Sequence, residues 1–238
     1  MKKFCLFSVV ACCIASMSVV FTGCKKDSDG GGGSTFTSIT AEVEDGEDYN
    51  SVVDEVIAMM YYNDGEFEAA YGDYSKGGFT IEFPSEVANR YLSYVEFGDA
   101  DMEPDDVRGG SVDFEAFDKS GNWLGDFQYR RSSRSIASMA YFVYVNKDCT
   151  VKGSYKERLG PDNENYSVSY DISLKKGWNK FYATQDADEL TYSWTSKEPS
   201  GLKWQFVDKS NWSVSQPGRA IFKSSFSPSV LFQTNQIQ

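Results

Sequence analysis

The sequence predicts an all-β fold: one antiparallel β-sandwich or two, built from about ten to twelve strands with at most one short helix. Three observations carry this. From Thr35 onward apolar residues recur with a period of two, which puts them on one face of a strand. Asp-Gly, Gly-Gly and Ser-Gly-Asn turns punctuate the runs, as hairpins require. Aromatic residues, which are favoured in strands, make up 16% of the 238 residues.

Taken in order, Ile39, Ala41 and Val43 alternate with Thr40, Glu42 and Glu44 to give a first strand. Val53, Val56 and Ala58 lead the run VDEVIAMMYY, which Asn63-Asp64-Gly65 ends. FEAAYGDY follows; Gly77-Gly78 then turns the chain into FTIEFP, whose Phe79, Ile81 and Phe83 share a face. The segment from Ser85 to Tyr94 predicts the one short helix, with Ser85 after Pro84 as its N-cap. An acidic loop spans Gly98 to Gly110. Val112, Phe114 and Ala116 alternate in SVDFEAFD, and a Lys-Ser-Gly-Asn turn leads into WLGDFQY. Arg130, Arg131 and Arg134, in YRRSSRS, read as a solvated turn. MAYFVYVNKD and CTVKGSYKE come next, then a PDNEN turn and YSVSYDISL, with Val168, Tyr170, Ile172 and Leu174 on one face. KKGWNKFYA, ELTYSWT and GLKWQFV complete the series at the spacing of a sandwich or barrel.

The strands occupy residues 36–207, as one domain or as two halves divided near 98–110. FEAAYGDYSKGGFTIEF and FEAFDKSGNWLGDFQY share a Phe-Glu-Ala start and a turn, a hint of duplication. Residues 208–238 are serine-rich, carry no acid after Asp208, and read as a peripheral tail to which Phe222, Phe226 and Phe232 lend an edge-strand character. Residues 1–23 read as a signal peptide: Lys2 and Lys3, then an uncharged apolar run from Phe4 to Phe21, then Gly23. An uncleaved membrane anchor is the competing reading of the same run, since about 18 apolar residues approach a bilayer span.

Phe21-Thr22-Gly23-Cys24 resembles the lipobox of bacterial lipoproteins, with Phe21 where leucine is usual. The resemblance implies cleavage before Cys24 and acylation of its thiol. Lys25-Lys26-Asp27-Ser28-Asp29 resembles the export signal of Bacteroidetes surface lipoproteins, which implies an outer-membrane lipid anchor facing outward. Residues 24–35, rich in glycine and serine, would then be a flexible tether. Residues Ile39 to Pro84 resemble a prealbumin-type sandwich module.

Composition excludes more chemistry than it suggests. The chain has no histidine, which removes Ser-His-Asp and Cys-His catalysis and histidine-bearing zinc sites. A formal charge of −12 argues against nucleic acid. Of five cysteines, Cys5, Cys12 and Cys13 fall in the signal peptide and Cys24 in the lipobox, so Cys149 has no intramolecular partner and reads as a small buried hydrophobe. No motif implies an organic cofactor. Asp99, Asp101 and Glu103 alternate as calcium ligands would, but Pro104 stands where an EF-hand needs glycine, so a solvated acidic loop competes with a metal site. Asp186, Asp188 and Glu189 make a similar, weaker pattern.

The aromatic load is the remaining pointer. Trp204, between Leu202 and Phe206, reads as core, whereas Trp123 and Trp178 follow turns and are the candidates for exposed ligand platforms. The expected function is a non-catalytic, lipid-anchored binding module on the cell surface, with an extracellular glycan as ligand. The alternatives are an adhesive protein with protein partners and a carboxylate-based glycoside hydrolase. Protease added to intact cells should degrade the chain as completely as it does after lysis; survival on intact cells would rule out outward display.

Overall fold

The computed structural model describes residues 35–62, 65–98, 100–159 and 164–210. The signal peptide, Cys24 and its tether, the Asn63-Asp64 turn, Asp99, most of the PDNEN turn and the tail from residue 211 lie outside the described residues. The described chain forms fourteen strands: β1 (Ser38–Glu42), β2 (Glu55–Tyr62), β3 (Gly65–Ser75), β4 (Gly78–Glu82), β5 (Ser93–Tyr94), β6 (Asp101–Glu103), β7 (Arg108–Phe117), β8 (Trp123–Ser132), β9 (Ile136–Val145), β10 (Cys149–Leu159), β11 (Glu164–Leu174), β12 (Gly177–Asp186), β13 (Thr191–Thr195) and β14 (Lys203–Asp208). The fold is all-β. No helix among the described residues is long and apolar enough to cross a membrane.

The strands form one mixed sheet in the order β1-β4-β3-β2-β7-β8-β9-β12-β13-β11-β10-β6, with β14 added on β8 and β5 on β7. The β11–β13 ladder is parallel, a departure from the antiparallel pattern expected. Hairpins explain most neighbours. The β3–β4 connection is Lys76-Gly77 with φ of 52° and 75°, the two left-handed residues that a tight hairpin turn needs. At the β7–β8 turn the Asp118 carboxylate accepts the Ser120 and Asn122 amides at 2.8 and 2.9 Å, while Gly121 takes φ of 75°.

The sheet folds over on itself around two cores. The first lies inside β1, β4, β3, β2, β7 and β8 and holds Val56, Ile81, Phe114, Phe127, Phe142 and Trp204. That ring of strands returns to β1 at both ends. Val43 bridges Trp204 of β14, and Thr35 bridges Asn179 of β12. The second core holds Val107, Tyr141, Val151, Ile172, Phe181 and Trp194 under β9 to β13. Strands β9 and β12 belong to both. Ala140, Phe142, Tyr144, Trp178 and Tyr182 face the first core, and Tyr141, Val143, Val145, Phe181 and Ala183 face the second. A strand buried on both faces reads as a near-continuous apolar run, which is what YFVYV is.

Two expectations are corrected here. The segment from Ser85 to Tyr94 is not an α-helix; it contains one 3-10 turn, Asn89–Tyr91, before β5. Val87 and Leu92 are buried in the first core, five residues apart rather than at helical spacing, and the chain runs straight on through β5 so that Val95 and Phe97 enter the second core. The arginine segment is not a solvated turn throughout. Arg130 and Arg131 extend β8, the first donating to Gln205 at 2.9 Å and the second to the Ser200 carbonyl at 2.8 Å.

The shared wall should dominate stability. Phe181 is fully buried, with ring centroids of Tyr141, Phe97 and Trp194 within 5.4 to 5.7 Å. Phe181→Ala should therefore cost about 3–5 kcal/mol in urea unfolding, whereas exposed Tyr71→Ala should change stability by less than about 0.5 kcal/mol.

Candidate binding face

Side chains on β2 alternate between the first core and the outside, and register carries the outward set across neighbouring strands. Glu55 pairs with Asp73 of β3 and with Phe117 of β7, and Phe117 pairs with Trp123 of β8. The next row is Tyr71, Ile57, Glu115 and Asp126; then Glu68, Met59 and Asp113; then Glu66 and Tyr61. Two bulges build this face. One at Ala58/Met59 shifts the phase of β3, so that Glu66 and Glu68 point outward before it, Tyr71 and Asp73 after it. The other, at Ala116/Phe117, turns Trp123 and Asp126 to the same side, and the Trp123 indole Nε1 donates to Asp126 at 3.1 Å.

The face combines open aromatic rings with carboxylates. Tyr71 is 66% exposed, Tyr61 38% and Trp123 37%. Around them stand Glu55, Glu66, Glu68, Asp73, Asp113, Glu115 and Asp126, seven acids. No lysine or arginine occurs in β2 or β3. From the row spacing of about 7 Å and the strand spacing of about 4.8 Å, Tyr71 stands roughly 15 Å from both Tyr61 and Trp123, which are about 23 Å from each other.

Crowded like charges show in the protonation of these acids. Asp113 is half-buried; burial, then the neighbouring Glu115 charge, pushes its carboxyl up to about 7. Glu115 is raised by burial, an effect that the hydrogen bond from the Tyr61 hydroxyl partly offsets. Glu55 is raised by burial and by Glu68, Asp73 and Asp54. Asp113 also marks a fork. Up to Val112 the strand β7 pairs with β9, and from Phe114 on it pairs with β8. Val112 lies opposite Phe142, so Asp113 comes level with Tyr141, whose phenol is held well above its ordinary range by burial and by the Asp113 charge.

A contrasting acid shows what a satisfied site looks like. Glu198 accepts from the Tyr129 and Tyr182 hydroxyls at 2.8 and 2.6 Å and lies 3.6 Å from Lys180 Nζ. Burial raises its pKa, yet those partners outweigh burial and hold it below the ordinary value. Glu198 fastens a loop, whereas Asp113 has no hydrogen bond or ion pair among the described residues.

Of the residues singled out in the sequence, Trp123 lies on this face. Trp178 does not, and its expected exposure is corrected: it is 3% exposed, packed on Phe83 at 4.6 Å, with its indole Nε1 donating to the Pro84 carbonyl at 2.7 Å. The turn before it is braced by Asn179, which bonds Lys175 and Gly177, and it delivers Trp178 straight into a strand with no open face. Asp101 and Glu103 sit exposed on β6, paired to β10, and no group of three or more potential metal ligands forms among the described residues. Asp186 instead caps its own turn, accepting the Asp188 and Glu189 amides. Cys149 is buried, and burial pushes its thiol up to about 11. Sequence reasoning missed Tyr61, Tyr71, Asp113 and Glu115. Their signal was faint: apolar residues on both phases of VIAMMYY, and acids alternating with core positions in VDFEA.

The Asp113 carboxyl fixes a pH dependence. Unfolded, it titrates near 3.9; folded, at about 7. The native state therefore holds the proton more tightly, and stability is lost as pH rises from about 4 to about 7. Asp113→Asn should remove that loss, leaving the variant up to about 4 kcal/mol more stable than wild type at pH 8, less by whatever solvent screens at this half-buried site, and little different at pH 4. Urea unfolding across this range checks it; a gap that does not change with pH would contradict the assignment.

Comparison of the chain with protein-family models gives no match, and comparisons with curated proteins and with solved structures give none either.

Proposed function

We propose that the protein is a non-catalytic binding module, lipid-anchored through Cys24 at the outer face of the outer membrane, that takes an extracellular glycan on the outward face of β3, β2, β7 and β8. The observation that carries this reading is the interleaving of exposed Tyr61, Tyr71 and Trp123 with carboxylates on one sheet face. Flat rings accept the apolar faces of sugars, and carboxylates accept hydrogen bonds from hydroxyls, the mixture that ligand sites use. Ring positions roughly 15 to 23 Å apart suit an oligosaccharide rather than a single sugar.

A second reading has one specific support. Asp113 and Glu115 stand two residues apart on the same strand face, roughly 6.6 Å along the chain, within the range of carboxylate pairs in glycoside hydrolases. Asp113 would be the proton donor, since it holds its proton near neutral pH.

The test is a polysaccharide and mucin-glycan panel read by tryptophan fluorescence and thermal shift, with reducing-end release followed in parallel. Saturable binding without release is expected, weakened about tenfold by Tyr71→Ala or Trp123→Ala with folding intact. Release of reducing ends that Asp113→Asn abolishes would establish the hydrolase. Silence across the panel by a folded protein would overturn both.

A further inference from the structure

Among the described residues no ion pair engages Asp113 or Glu115. Neither β2 nor β3 supplies a base, and Asp113 has no hydrogen bond or ion pair among the described residues. Beneath it, Tyr141 is 3% exposed and its hydroxyl has no partner among the described residues, although the ring lies level with Asp113 across the β7–β9 ladder. A buried hydroxyl without a partner is costly and uncommon in native structures. Beside Asp113, the Glu115 Oε1 accepts from the Tyr61 hydroxyl, so Oε2 remains open to a donor.

We propose that the ligand of this face is an amino-sugar oligomer, with one free primary ammonium group seated between Asp113 and Glu115. The inference rests on the glycan reading above and narrows it to a cationic sugar. An ammonium carries three N–H donors, enough to engage both carboxylates at once. It also holds Asp113 ionised, and a carboxylate turned toward Tyr141 on binding, which it does not reach in the unliganded chain, accepts the buried hydroxyl from below. The exposed Tyr61 ring flanks the charge and adds an aromatic contact. A divalent metal fits less well, since it needs six or more oxygen ligands and no three-acid group is assembled among the described residues. An N-acetylated sugar is neutral and would leave both acids uncompensated.

The test compares four probes by titration calorimetry on the purified chain at about 0.15 M salt: glucosamine hexamer, N-acetylglucosamine hexamer, cellohexaose and hexalysine. Glucosamine hexamer should bind at least about tenfold more tightly than either neutral hexamer. Asp113→Asn should erase that advantage, whereas Glu68→Gln, an equal change of charge on the same face, should keep most of it. Neutral hexamers binding as tightly as the amine would overturn the inference and leave the glycan reading intact. Equal losses in the two variants would reveal diffuse attraction and overturn the seat. Hexalysine binding that depends on Asp113, with no sugar bound, would overturn the sugar and the glycan reading together while retaining the ammonium seat. No binding by any probe would overturn both.

Discussion

Everything in this molecule hangs on a wall that is dry on both sides. Strands β9 and β12 pair along ten residues, from Ile136 opposite Asp186 to Val145 opposite Gly177. Their alternate side chains feed two separate cores. Exposing either face of such a wall would leave large aromatics in water, so the two halves of the sheet are obliged to fold over it. The T-shaped contact of Phe142 with Phe114 and the tilted contact of Tyr141 with Trp194 show that each side is packed in specific geometry rather than merely filled.

The candidate binding face is a by-product of that arrangement. β7 lies along β9 only as far as Val112 and then leaves it for β8. At the parting the second core ends and the outer face begins, so Asp113 stands with the dry wall on one side and water on the other. Asp113 loses part of its hydration there and gains no ion pair among the described residues. Glu198, on the opposite face of the wall, has two phenols and a lysine and behaves as a fastener. The difference between the two acids is a difference in partners, not in residue type.

Local pattern carried the fold class and many of its faces. Ile39, Ala41, Phe79, Ile81, Val112, Phe114 and the alternating set from Val168 to Leu174 all point inward as their spacing predicts. Three things were hidden for physical reasons. A strand buried on both sides has no polar phase, so Trp178 could not be assigned a face from its neighbours. A bulge inverts the phase of a strand midway, which concealed that Glu68 and Tyr71 share a side. The candidate face itself needs the pairing of Glu55 with Phe117, a contact between residues far apart in the chain that no local spacing encodes. Trp123 was legible because a tight turn places it where the ladder has barely begun.

The way β1 is held has a mechanical meaning. It is hydrogen-bonded to β4 along its whole length, and the chain on either side of it is pinned, at Thr35 to β12 and at Val43 to β14. Tension arriving from the N-terminal side runs along the strand and loads its bonds together in shear, instead of opening them one at a time as peeling would. The strand that receives the pull is thus also the one that closes the first ring, with Ile39 and Ala41 buried within it. A domain arranged this way resists being dragged by its leading end.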